Sequence, residues 1–269
     1  MEIVESDFGP KWAAKRIAGA IRDYVKASGR KGVALGVSGG VDSAVCAILA
    51  KKALGSRNVL GLMMPNGNLF PEEVEDAKEV CRRTGIRNKT INIRPAVEIL
   101  ESIVSSVGGK KPGNVEVGNI AARTRMVVLY GAASSKNYLV LGTGNKTELL
   151  LGYFTKYGDG GADILPIGDL YKWQVRELAR DVGVPEKIVE KPPTAGLWSG
   201  QTDEGELGLA YPFADKVLSM FLEGGMNGRD IIKEVGSKEK VKKIHKAVTS
   251  TSHKRSPPRV FSLSLCRWV

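Results

Sequence analysis

The chain has 269 residues, 42% of them hydrophobic and 26% charged, ordinary for a globular protein and enough for a full core in one or two domains. Its 40 basic residues outnumber 29 acidic ones, giving a formal net charge of +11, a field that draws polyanionic molecules. No apolar run approaches the roughly 20 residues of a membrane-spanning helix, and the amino terminus lacks the apolar segment of a secretory signal. Cys46, Cys81 and Cys266 show neither zinc-site nor disulfide spacing. A cytoplasmic protein without a membrane partner is expected. The basic residues are dispersed apart from a cluster at 238–246, and no helix-turn-helix, RNP or zinc-finger string occurs, so no nucleic-acid partner is expected either.

Residues 13–26 place Ile17, Ile21, Tyr24 and Val25 on one helical face, and the apolar run 33–37 reads as a strand. The string Ser38-Gly39-Gly40-Val41-Asp42-Ser43 follows, and Val41, Ala44, Val45 and Ile48 then recur at helical spacing. A second strand is expected at 59–64. Pro71-Glu72-Glu73 opens a helix ending near Gly85, with proline and acids where helix starts prefer them. A third strand is expected at 90–94 and a further helix after Pro95. A glycine-rich break at 108–113 precedes a long helix at 114–136 and a strand at 138–141. Such alternation implies a doubly wound parallel sheet with helices on both faces. Its core would span about residues 30–170 of a single domain, followed by a helical part from about 171 to 255 that opens with a helix at 172–182. Residues 191–206, with Pro192-Pro193 and three glycines, read as a mobile loop. Cys46 and Cys81 fall on apolar helix faces as small buried hydrophobes.

Strand, glycine turn and helix together aim backbone N–H groups and a helix N-terminus at one point, which suits a phosphate. The string is neither a Walker A loop nor Gly-x-Gly-x-x-Gly. Asp42 would be repelled by a bare phosphate, but it makes sense as a ligand of Mg²⁺ held between carboxylate and phosphate oxygens. Ser38 and Thr143 both follow apolar strands, and ligands of parallel sheets bind outside the carboxyl ends of strands, so the two should share a crevice. Glu148 could add a second carboxylate there.

The string at 38–43 resembles the pyrophosphatase loop of the ATP pyrophosphatase superfamily, whose members cleave ATP between the α and β phosphates. Tyr153-Phe154-Thr155-Lys156-Tyr157-Gly158-Asp159-Gly160-Gly161-Ala162-Asp163 resembles the signature of the NAD synthetase family. The likeness extends to Ala122-Arg123-Thr124-Arg125-Met126, residues 143–148, Pro193-Thr194-Ala195 and His253-Lys254-Arg255. Where many bacterial members have Asp-His after the threonine, this chain has Gly144-Asn145.

This resemblance implies the adenine nucleotide alpha-hydrolase-like fold. It implies ATP contacts from Gly36, Val37, Ser38, Gly39, Gly40, Val41, Asp42, Ser43, Thr143, Lys172 and Thr194, with Asp42 and Glu148 as magnesium ligands. Arg123, Lys156, Asp163, His253 and Lys254 would hold nicotinic acid adenine dinucleotide, the deamido form of NAD. The implied reaction adenylates that substrate with release of pyrophosphate, and ammonia then displaces AMP to give NAD. Asp42 and Lys172 would carry the catalysis. A homodimer with the dinucleotide near its interface is implied, and helix 114–136 is the expected interface element. No stretch has the context of a glutaminase nucleophile, so free ammonia is expected, although a separate glutaminase subunit stays open. Rival readings are another ATP pyrophosphatase, amidating a different nucleotide or thiolating tRNA, and a non-enzymatic basic nucleotide- or RNA-binding protein.

Overall fold

The computed structural model describes residues 8–194, 196 and 201–261. Of the apolar tail residues Phe261, Leu263, Leu265 and Trp268, for which the sequence suggests packing or a subunit interface, Phe261 is exposed and the other three lie outside the described residues, as does Cys266. In chain order the elements are α1 (Pro10–Ala27), β1 (Gly32–Gly36), α2 (Val41–Leu54), β2 (Val59–Met63), α3 (Pro71–Thr84), β3 (Arg87–Thr90), α4 (Arg94–Gly108), α5 (Asn114–Lys136) and β4 (Tyr138–Val140). There follow α6 (Lys146–Leu151), α7 (Lys172–Val182), α8 (Glu186–Val189), α9 (Asp203–Leu207), α10 (Tyr211–Leu222), α11 (Gly228–Val235) and α12 (Lys238–Ser250).

The strands form one parallel sheet in the order β3-β2-β1-β4, extended beside β4 by a parallel bridge between Leu141 and Ile164. The apolar strands look uniform in sequence, yet the pleat sorts their side chains to two faces. Val33, Leu35, Val59, Met63 and Leu139 pack with α1, α2, α3 and α7 residues. Ala34, Leu60, Leu62, Tyr138 and Val140 pack with α4 and α5 residues. Complete burial of a side chain such as Leu35 contributes about 1.5–3 kcal/mol. A third apolar cluster joins Leu151 and Tyr171 to α10, α11 and α12. Cys46 and Cys81 are buried within the first cluster. No helix among the described residues is long and apolar enough to cross a membrane.

Two expectations need correction. The third strand lies at Arg87–Thr90 rather than at 90–94. It is the sheet edge and all four of its residues are exposed, so it carries no apolar pattern, and its Arg87 and Lys89 deter further edge pairing. Ile91 and Ile93, which suggested the strand, continue the pairing through N–H bonds to Met63 and Pro65 carbonyls before α4 begins. The segment 191–206 is also not wholly loop, since α9 starts at Asp203 with Thr202 as its side-chain cap.

The turn after β1 is built around Gly39, whose φ is +90°. A Cβ there would lie 2.3 Å from the Glu73 carbonyl oxygen in the first turn of α3. Gly39→Ala should therefore cost about 1–3 kcal/mol through strain alone, read as a lowered urea midpoint; an unchanged midpoint would show that this close approach is absent.

Candidate functional site

At the carboxyl edge of the sheet lies a cavity of about 470 Å³. Gly36, Val37, Ser38, Gly40, Val41, Asp42 and Ser43 line it, together with Thr143, Glu148, Lys172, Thr194 and Lys254. Ser38 and Thr143 thus share the crevice expected of them. The loop at 38–43 is closed on itself, because Ser43 Oγ donates to the Gly40 carbonyl at 2.9 Å and accepts from Ser38 N–H at 3.2 Å. Its open side faces the cavity at the N-terminus of α2, a geometry suited to an anion.

Lys172 is the electrostatic centre. Its side chain is 4% exposed, and Nζ lies 2.6 Å from Asp42 Oδ2 and 3.3 Å from Glu148 Oε1. The Tyr211 ring covers it, with its centroid 5.1 Å from Nζ. Burial opposes the ammonium charge, but Asp42 and Glu148 outweigh it and hold the pKa above the usual lysine value. Burial, joined by the charges of Asp42 and Asp203, pushes Glu148 up to about 8 against the pull of Lys172. Asp42, Glu148 and Asp203 therefore crowd one ammonium, a local surplus of acidic groups over basic ones.

That surplus bears on the expected magnesium. No group of three or more metal-binding side chains surrounds one point among the described residues, so a protein-only cage is absent. Mg²⁺ instead takes one or two carboxylates and completes its shell with phosphate oxygens and water. Asp42 and Glu148, largely buried and both facing the cavity beside the anion loop, fit that donor set.

Several positioning groups escaped the sequence reading. Asn145 donates through Nδ2 to Asp42 Oδ1 at 2.9 Å, accepts from Glu148 N–H at 3.0 Å, and gives its own N–H to Glu148 Oε2 at 3.1 Å. The string Asn145-Lys146-Thr147-Glu148 is a reciprocal helix cap, and that spacing was a legible signal. Asp215, 2% exposed on α10, accepts from Thr147 Oγ1 at 2.5 Å and Trp173 N–H at 3.1 Å, while Lys172 N–H donates to Thr147 Oγ1 at 3.1 Å. This buried carboxylate locks the helix carrying Glu148 to the helix carrying Lys172. Asp203 accepts from Tyr153 Oη at 3.1 Å and Tyr211 Oη at 3.0 Å.

The residues expected on the dinucleotide are more scattered. Arg123, Lys156, Asp163 and His253 do not border the cavity. Lys156 Nζ donates to the His253 carbonyl at 2.6 Å. Asp163 accepts from Val140 N–H at 2.7 Å and Tyr130 Oη at 3.1 Å. Lys254 does border the cavity, and its Nζ donates to the Gly152 and Phe154 carbonyls at 2.7 and 2.8 Å. Its pKa is lowered by burial and by Arg123, against the pull of Asp159. Arg255 donates to the Leu149 and Leu150 carbonyls at 3.0 and 2.8 Å, closing the chain back onto α6. The signature turn is held by Asp159, whose Oδ1 accepts from Thr155 N–H at 2.9 Å.

A parallel sheet with helices on both faces, an anion loop after its central strand and a carboxylate pair at adjoining strand ends define the adenine nucleotide alpha-hydrolase-like class. Within it, the family model for NAD synthase matches residues 13–258, and the chain belongs to that family. It is 47% identical over 247 residues to the NH(3)-dependent NAD(+) synthetase of Thermococcus kodakarensis, covering 91% of this chain and 95% of that protein. Among solved structures it is similar to NMN synthetase from Francisella tularensis, with a TM-score of 0.84 and 36% identity over 96% of this chain and 100% of that one. It is also similar to NH3-dependent NAD synthetase from Campylobacter jejuni, with a TM-score of 0.79 and 29% identity over 94% and 99% of the two chains.

In the folded protein Glu148 keeps its proton to about pH 8, whereas an ordinary glutamate releases it near 4.5. Through this window the folded state binds more protons than the unfolded chain, so the glutamate's contribution to stability falls as pH rises. Without added metal, the melting temperature of the wild type should drop more than that of Glu148→Gln between about pH 5 and about pH 8. Parallel curves would contradict the raised Glu148.

Proposed function

We propose that this protein is an ATP-dependent ligase that amidates nicotinic acid adenine dinucleotide to NAD with ammonia. The observation that carries the reading is the Asp42–Lys172–Glu148 cluster, set beside the anion loop in the cavity of a chain of the NAD synthase family. The loop at 36–43 would take the ATP phosphates, with Thr143 and Thr194 on the nucleotide. Asp42 and Glu148 would hold Mg²⁺, which when bound neutralises charge on the departing pyrophosphate. Lys172, fixed by two carboxylates, would present its charge to the α phosphate.

A nicotinate carboxylate oxygen attacks the α phosphorus, and the bond to the bridging oxygen breaks to release pyrophosphate. Ammonia then attacks the acyl carbon, the C–O bond breaks, AMP leaves and the nitrogen loses a proton. The chain's groups act by positioning and by electrostatic preorganisation. Arg123 and Lys254, with Lys156, Asp163 and His253, would receive the dinucleotide. Ammonia as nitrogen source is supported by the near full-length match to the Thermococcus kodakarensis protein, named as NH(3)-dependent. Sheet and helical part would work as one unit, because α10 supplies the Asp215 that fixes Lys172.

The likeness to NMN synthetase supports a second reading in which the mononucleotide is the acceptor. Mg-ATP and ammonium incubated with either acceptor decide between them. NAD should form from the deamido dinucleotide with matching pyrophosphate and AMP. Amide from the mononucleotide alone would favour the second reading, and no amide from either would sink both. Asp42→Asn should reduce pyrophosphate release by about 10²–10³-fold, the scale of lost charge stabilisation, with the circular-dichroism spectrum retained although the melting temperature falls; near-normal turnover would remove Asp42 from the metal site.

A homodimer belongs to this proposal. Ile99, Ile103 and Val107 form an exposed apolar stripe on α4, and Val115 and Val127 are exposed on α5, the expected interface helix. Arg123 shares that α5 face and lies outside its own chain's cavity, which suits a substrate shared between two copies. Light scattering should report a dimer that Ile103→Glu converts to monomer. A monomeric wild type would contradict this assembly.

A further inference from the structure

Two carboxylates on α3, one turn apart, have opposite surroundings. Asp76 is buried and is gripped by Lys187 Nζ at 2.9 Å and by Lys191. Glu73 is half-buried and lines the cavity, yet no hydrogen bond reaches its carboxylate among the described residues. Burial pushes its pKa up, opposed by the charges of Lys191 and Arg125. Both cations are committed elsewhere, Lys191 to Asp76 and Arg125 through Nε to the Met64 carbonyl at 3.0 Å. Glu73 is an acceptor pair waiting for donors.

Its place in the cavity limits what those donors are. Its backbone meets the anion loop at Gly39, and its Oε2 lies 3.0 Å from where a Cβ on Gly196 would be, two residues past Thr194. Glu73 therefore stands at the nucleotide end of the cavity, between two segments assigned to ATP. A carboxylate repels phosphates. On ATP the groups that can donate to it are the ribose 2′- and 3′-hydroxyls and the adenine amine. The ribose is one methylene from the α-phosphate ester, and its vicinal hydroxyls match two carboxylate oxygens, whereas the amine lies farther out. Acidic side chains take ribose hydroxyls in the same manner in dinucleotide folds.

We propose that Glu73 binds the ribose of ATP, accepting hydrogen bonds from the 2′- and 3′-hydroxyls, and so selects ribonucleoside over deoxyribonucleoside triphosphates. This assignment rests on the ATP-dependent reading above. Its test compares ATP, 2′-deoxy-ATP and 3′-deoxy-ATP in wild type, Glu73→Ala and Glu73→Gln, by kcat/KM for NAD formation and by calorimetric binding of each nucleotide. Wild type should prefer ATP to either deoxy analogue by about tenfold, the scale of a hydrogen bond to a charged acceptor. Glu73→Ala should lose about a hundredfold on ATP, which gives up both hydrogen bonds, and about tenfold on each analogue, which gives up the one it keeps, so that the preference collapses, with Glu73→Gln in between. Equal losses on all three nucleotides would overturn the assignment, as would a wild type indifferent to the hydroxyls. A changed magnesium requirement with the preference intact would overturn it too. The binding arm keeps the two claims separable: nucleotide binding with the expected preference but without NAD formation would sink the ligase reading and leave Glu73 on the ribose.

Discussion

One ammonium shared by two carboxylates organises this molecule. Lys172 touches both Asp42 and Glu148 inside a pocket that also contains the charge of Asp203. Removing one partner from a buried ion pair typically costs about 3–5 kcal/mol, because the survivor is left desolvated and unpaired. Burial first, and the charges of Asp42 and Asp203 after it, raise Glu148, and a second positive charge beside it would oppose that rise. A pocket poised in this way favours cations at the place where pyrophosphate would depart, so the electrostatic tension and the proposed chemistry have one origin.

Bringing these three side chains together is the work of the whole fold. Asp42 comes from the helix after the central strand, Glu148 from the short helix after β4, and Lys172 from the first residue of α7. The sheet fixes the first two, since β1 and β4 are hydrogen-bonded neighbours. The third is set by Asp215 on α10, which pins both Thr147 and the start of α7. The helical carboxyl-terminal part is thereby coupled to the position of Lys172. Arg255 serves the same end by capping the carbonyls of α6.

Much of this was legible in the sequence where the signal is local. The glycine string, the apolar strands and the proline-led start of α3 announce themselves within a few residues, and the class of fold follows from their alternation. β3 did not, because an edge strand of exposed polar residues has no hydrophobic period. α9 is five residues long, too short for one. Asp203, Asp215 and Tyr211 were silent for another reason: they act through partners as far as 68 residues away, and nothing adjacent in the chain marks a buried carboxylate as satisfied. Glu73 looked like a first-turn acid, a role helix starts favour, and only the cavity sets it apart from Asp76. The residues expected on the dinucleotide present the converse. Their motifs are distinctive, but Lys156 and Lys254 each donate to backbone carbonyls.

In the proposed reaction the site joins a carboxylate oxygen of the dinucleotide to the α phosphorus of ATP. Its direct test is to label both oxygens of that carboxylate with oxygen-18, run the reaction with Mg-ATP and ammonium, and weigh the products. One labelled oxygen should appear in each AMP formed and none in pyrophosphate. Unlabelled AMP in step with amide formation would contradict that reaction.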